Sequence, residues 1–146
     1  NIGVDGCTLP NPLIPLKKFA FAAAQLADYE KLNDHSVIAK RIFDSCVKFP
    51  EIAGGSKSIN SILTKLSKGK AFVKNGAEGV FVAIIPEKKS ALAVKIIDGA
   101  SRAAEVAIAG LLSELKIINN EKIKKIKKIP IKNSANQIIG SMKWIC

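Results

Sequence analysis

An α+β fold, an antiparallel sheet with helices packed on it, is what this sequence predicts, and three observations carry the prediction. Ala71 to Lys74 opens a short strand that closes on Asn75-Gly76. Two further apolar runs of strand length follow, Gly79 to Ile85 and Ala91 to Ile97, joined by the polar hairpin loop Pro86 to Ser90. An alanine-rich helix then starts at Ser101, so the order is strand, strand, strand, helix.

The remaining elements follow from local chemistry. Asp5 to Pro15 is punctuated by Gly6, Pro10, Pro12 and Pro15, a density that forbids helix or central strand and leaves a stiff, extended loop. Leu16 to Leu32 reads as a helix with Phe19, Ala23, Leu26 and Ala27 on its apolar face, broken at Asn33-Asp34. Ser36 is placed to cap a second helix to about Phe49, with Ile38, Ile42 and Cys46 at four-residue spacing, which makes Cys46 a core position. Ala53-Gly54-Gly55 is a turn. Ser58 to Leu66 is a short helix carrying Ile59, Ile62, Leu63 and Leu66.

Within the sheet, Gly79 to Ile85 is continuously apolar, as a strand covered on both faces would be. Ala91 to Ile97 alternates Leu92, Val94 and Ile96 with Ala91, Ala93 and Lys95. The helix that Ser101 caps runs to about Leu115, with Ile108, Leu111, Leu112 and Leu115 on its apolar face. Glu121 to Lys128 fits either a short amphipathic helix or a solvated linker, ended by Pro130. Gln137 to Ile145 fits a last strand interrupted by Gly140. At 146 residues the expectation is one domain: 1–66 mainly helical, 71–97 the three-stranded meander, 101–116 the long helix, and 121–146 a C-terminal extension.

The formal charge is +11, with 23 Lys+Arg against 12 Asp+Glu, yet only Arg41 and Arg102 are arginines. Specific nucleic-acid readers use arginine forks and exposed aromatics. This chain has one Trp, one Tyr and six Phe, mostly inside apolar runs, so neither nucleic acid nor membrane is the expected partner. The three cysteines (Cys7, Cys46, Cys146) form no disulfide framework, which points to a reducing, cytoplasmic location. No apolar run approaches the about 20 residues of a membrane span. The chain starts at Asn1 without methionine and looks cut or processed from something longer.

Lys74-Asn75-Gly76 has the form K-x-G, the element that in serine β-lactamases and penicillin-binding proteins places an ammonium opposite a serine nucleophile. Gly3-Val4-Asp5-Gly6-Cys7 with the Leu9-Pro10 turn, Phe49-Pro50-Glu51-Ile52-Ala53-Gly54, Lys74-Asn75-Gly76-Ala77-Glu78-Gly79-Val80 and Val94-Lys95-Ile96-Ile97-Asp98-Gly99-Ala100 stand in order along the chain. Together they resemble the asparaginase II family, the Rhizobium-type L-asparaginases, from Ile2 to about Leu115 and more weakly over Asn133 to Lys143. The resemblance implies a fold like the C-terminal part of the serine β-lactamases. It also implies hydrolysis of L-asparagine to L-aspartate and ammonia by serine and lysine pairs.

By the resemblance, Lys74 is a catalytic lysine, Asp5 and Gly76 contact substrate, and Cys7 is one ligand of a zinc ion. A lysine acts as a base on serine when burial or a neighbouring cation lowers its pKa from about 10.4. One thiolate is not a zinc site, because zinc takes about four donors. Read without the resemblance, Lys74 is a solvated lysine, Cys7 a small buried thiol, and Asp5 a carboxylate that holds its loop through nearby amides.

The family's other half carries an S-x-x-K nucleophile motif, a second serine and a C-x-G-K-H stretch, none of which is recognised here. Ser45 to Lys48, Ser67 to Lys70 and Ser113 to Lys116 fit S-x-x-K, but 11 serines and 21 lysines in 146 residues make such matches expected by chance. Ser58-Ile59-Asn60 fits S-x-N and reads as a helix cap. His35 has no second ligand nearby and reads as a surface or capping residue. The expectation is a C-terminal half that supplies part of a composite asparaginase site, completed by a complementary N-terminal half, or a homo-oligomer. The alternatives are a non-catalytic remnant or binding module of the same fold, and a basic nucleic-acid binder through Glu121 to Lys132, whose affinity would fall steeply with salt.

Overall fold

The computed structural model describes residues 1–145. Its centre is an antiparallel sheet of β3 (Phe72–Asn75), β4 (Val80–Ile85) and β5 (Ser90–Lys95), in that order, with Val73 opposite Ala83 and Phe81 opposite Val94. Period-two alternation sorts the side chains. Val73, Phe81, Ala83, Ile85 and Val94 point to one face, where they join Leu63 of α4 (Ile59–Leu66) and Ala104, Ile108 and Leu112 of α5 (Ser101–Glu114) in one buried cluster.

The other face carries Val82, Ile84, Ala91 and Ala93, and α1 (Leu16–Ala27) lies on it through the buried Ala23 and Ala27. Alanine facing alanine lets the helix approach closely. α1 covers the β4–β5 part of this face, because β5 presents small side chains there. Lys89, in the β4–β5 turn, ties this layer down by reaching Asp28 at 3.1 Å and Glu30 at 3.5 Å past the end of α1.

The outer edge of β3 is not open. Thr64 of α4, 1% exposed, accepts a hydrogen bond from the Val73 N–H at 3.0 Å, and the Ser67 hydroxyl accepts one from the Ala71 N–H at 3.1 Å. Side chains of a helix thus cover the edge donors that a bare strand would expose.

Several boundaries differ from the sequence reading, each for a local reason. The first helix stops at Ala27, and residues 29–35 form a tighter 3-10 turn in which Asn33 has φ 47°. Leu26 is exposed. In α2 (Ser36–Lys48) the buried residue is Ala39, whereas Ile38 and Ile42 face outward and Cys46 is half-buried, its thiol pushed up in pKa by burial. Ser36 and Ser101 open their helices without capping them, whereas Ser58 caps, accepting from the Ser61 N–H.

Pro50 starts a five-residue helix, α3 (Pro50–Gly54), where a turn was expected, since proline at the first helical position has no N–H to lose. The N-terminal proline-rich segment is a hairpin, β1 (Ile2–Val4) with β2 (Pro10–Pro12); both are edge strands, so the missing proline donor costs no ladder bond. After α6 (Asn120–Ile123), Pro130 sits inside β6 (Lys128–Lys132) and Gly140 inside β7 (Ile138–Lys143), again a two-stranded ribbon. Trp144 fastens that ribbon to α5: its ring lies over Gly110, where a Cβ would come within 2.3 Å, and its Nε1–H donates to Glu114.

Candidate functional site

The K-x-G tripeptide sits where β3 ends. Lys74 is half-exposed, and its Nζ donates to Asn75 O at 3.2 Å and to Asn75 Oδ1 at 3.3 Å. A second donor reaches the same Oδ1: the side-chain amide of Asn60, 2.5 Å away. Asn60 is held there because Ser58 caps α4 and starts it beside the sheet, leaving Asn60 in its first turn and only 4% exposed. One side-chain oxygen therefore links a buried asparagine of α4 to the lysine at the strand's end.

Beside this group lies a cavity of about 350 Å³, within the usual ~300–1,000 Å³ of small-molecule pockets. Asn60 and Asn75 line it from one side, Gly76 and Gly79 from the turn after β3, and Ser101 and Glu105 from α5. Gly79 (φ 69°) and Gly99 (φ 75°) make this closure possible, since a Cβ on Gly79 would meet the Gly99 backbone at 3.0 Å. The two glycines bring the β3–β4 turn against the start of α5, so residues 101 and 105, one helical turn apart, come to face it. Burial raises the pKa of the Glu105 carboxyl above its ordinary range.

A larger cavity, about 550 Å³, lies near the ends of α4 and α5 and is lined by Lys68, Lys70, Lys116 and Lys122. Ser67, Lys70, Ser113 and Lys116 of two S-x-x-K matches also line it, but none of the residues that carry the family resemblance does. Cations are favoured at the C-terminal ends of helices, which accounts for lysines gathering there.

Asp5 and Cys7 occupy the exposed β1–β2 turn. The Asp5 carboxylate accepts from the Gly6 N–H at 2.6 Å and from the Cys7 thiol at 3.7 Å. That is the loop-holding geometry. No hydrogen bond or ion pair among the described residues joins this turn to Lys74, Asn75 or Gly76. The fit to zinc is poor: Cys7 and Asp5 are two neighbouring donors, and no group of three or more His, Cys, Asp or Glu gathers among the described residues.

The S-x-x-K serines are occupied elsewhere. Ser67 is 1% exposed and donates to the Thr64 and Ala71 carbonyls, and Ser45 donates to Arg41 O. His35 is exposed at the start of α2, without a side-chain capping bond. Sequence reasoning overlooked Glu105, and it read Asn60, in the S-x-N match Ser58-Ile59-Asn60, only as part of a helix start. Their signal was a polar side chain in line with an apolar helix face, beside Ile59 and Leu63 in one case and Ala104 and Ile108 in the other.

Among the described residues, no helix is long and apolar enough to cross a membrane. No curated protein matches the chain. The family model described as L-asparaginase II matches residues 1–144. With a match over nearly its whole length, and with the K-x-G tripeptide at the end of an antiparallel strand beside a polar cavity, the chain belongs to the L-asparaginase II family.

Proposed function

We propose that these residues carry the lysine part of a composite L-asparaginase site, with Lys74 acting on a serine that other polypeptide supplies. The observation that carries this reading is the Lys74–Asn75–Asn60 hydrogen-bonded group, whose two asparagines line a substrate-sized cavity. A positioned amine can take the proton of a serine hydroxyl as it attacks the side-chain amide of asparagine and return it to the departing ammonia. Lys74 is only half-exposed already, and docking of a second polypeptide over the β3 end would exclude the remaining water. Asp5 and Gly76 are the proposed substrate contacts. Cys7 is at most one thiolate donor to a zinc ion whose other ligands lie outside this chain, and no step of the chemistry is assigned to it.

The supports are membership of the family and the order of its motifs along the chain. Ammonia release from L-asparagine tests the reading. The chain alone should be inactive, and a complementary polypeptide carrying S-x-x-K and C-x-G-K-H should restore activity. In that complex Lys74→Ala should lower the rate by at least ~10²-fold, the scale of losing a positioned base, while Lys68→Ala should be nearly silent. Equal effects of the two substitutions would remove Lys74 from this role.

A further inference from the structure

Three carboxylates of this chain are half-buried: Asp28, Glu51 and Glu105. Asp28 pairs with Lys31 at 2.7 Å, and Glu51 pairs with Lys65. Glu105 has neither hydrogen bond nor ion pair among the described residues, although the chain carries a net charge of +11. Lys57 shares its cavity but forms no ion pair with it. In a protein this rich in lysine, a half-buried carboxylate left without a cation is the exception, and it faces the cavity beside the Lys74 group.

Of the cavity's other polar atoms, Ser58 Oγ and Asn75 Oδ1 are engaged within the protein, and some amide atoms are not. Asn60 uses one amide proton on Asn75 Oδ1, and among the described residues no hydrogen bond is made by Asn60 Oδ1 or by the Asn75 Nδ2 donors. An acceptor, a donor and an unpaired carboxylate thus line one space of about 350 Å³. That set matches the amino-acid head group: an ammonium needs a carboxylate and an acceptor, and a carboxylate needs N–H donors.

We propose that Glu105 is the counter-charge for the α-ammonium group of the amino-acid substrate, seated in this cavity with the Asn60–Asn75 amides against its head group. The assignment rests on the amidase reading and specifies which end of the substrate the cavity holds. An amino acid bound this way directs its side-chain amide away from Glu105, towards the Lys74 end of the site. It also gives the cavity a preference for free amino acids over the same amides lacking an amino group.

The test compares L-asparagine with succinamate, the same molecule without the amino group, by backbone NMR titration of the full chain. Shifts should appear at Asn60, Asn75, Gly76, Gly79 and Ser101, with L-asparagine binding at least about ten-fold tighter, the scale of one hydrogen bond to a charged group. Glu105→Gln should bring L-asparagine down to the affinity of succinamate and leave succinamate unchanged. The glutamine keeps the shape and removes a charge that burial penalises, so the fold is retained. Glu105→Asp, which keeps the charge on a shorter arm, should retain part of the preference.

Equal affinities in the wild type, equal losses of both ligands in Glu105→Gln, or no shifts at the cavity residues would each overturn the assignment. Ammonia release by the complex, with and without Lys74→Ala, reports the amidase reading separately. An active, Lys74-dependent complex whose Glu105 cavity ignores the amino group overturns this inference alone. A complex without Lys74-dependent activity overturns the amidase reading, and the titration still decides whether Glu105 recognises ammonium.

Discussion

Thr64→Val should destabilise the fold out of proportion to its size, because the lost hydroxyl leaves a strand donor stranded. Thr64 is 1% exposed and Val73 0% exposed, and the 3.0 Å bond between the Thr64 hydroxyl and the Val73 N–H lies on the side of β3 turned away from β4. Valine keeps the shape but cannot accept. A typical hydrogen bond contributes about 1 kcal/mol net, and a buried donor left unsatisfied costs about 1–3 kcal/mol. Replacing a buried hydroxyl with a methyl group offsets part of this, leaving about 1–2 kcal/mol. With a urea m-value of roughly 2 kcal/mol/M, the midpoint should fall by about 0.5–1 M. Ser45→Ala, which removes an exposed hydroxyl bonded to Arg41 O, is the control and should stay within about 0.5 kcal/mol of wild type. If the Thr64 and Ser45 variants unfold at the same urea concentration, α4 does not seal the β3 edge as described.

Acid should unfold the chain partly through Asp28 and Glu51. Lys31 holds the Asp28 carboxyl, and Lys65 the Glu51 carboxyl, below their ordinary ranges, so their contribution is complete above the unfolded-state pKa values and is lost as pH falls through the folded ones. Urea midpoints measured from pH 7 down to pH 3 should therefore fall more steeply for wild type than for Asp28→Asn, and parallel curves would contradict this. Gly110→Ala should displace the Trp144 ring, because its Cβ would fall within 2.3 Å of it. Trp144 is the sole tryptophan, so its emission should shift to the red while the far-ultraviolet circular dichroism, dominated by α5 and the central sheet, changes little. An unshifted spectrum would show that the ribbon is not fastened there.

The meander and the helix after it were legible because their signals are local. Turn residues bound each run, alternation in Ala91 to Ile97 sorts its faces, and the alanines of α5 suit close packing on a sheet. The first helix was harder to read. Leu26 stands at helical spacing from Phe19 and Ala23, yet the surface that α1 meets is Ala91 and Ala93 of β5, so the two alanines bury and the leucine is left outside. Ile38 and Ile42 failed in the same way, with Ala39 taken inside instead. Periodicity marks an apolar stripe, but the partner's shape decides which part of the stripe is covered, and for α1 that partner lies far along the chain, in β5.

The candidate site divides along the same line. Lys74-Asn75-Gly76 announces itself as a tripeptide, and its place at a strand's end follows from the sequence. Asn60 could not announce itself: Ser58-Ile59-Asn60 is a sound helix start on its own terms, and Ser58 does cap. The functional content lies in a bond to a residue fifteen positions on, which exists only once α4 packs beside β3. Glu105 was hidden for the opposite reason. A single glutamate in an alanine-rich helix is unremarkable in sequence, and only the lysine pairing of Asp28 and Glu51 makes its solitude informative. A half-buried charge without a partner persists only if folding tolerates its cost, and a ligand that supplies the missing cation recovers that cost on binding. Added L-asparagine should on that argument raise the unfolding temperature of the wild-type chain more than that of Glu105→Gln, a difference succinamate should not reproduce.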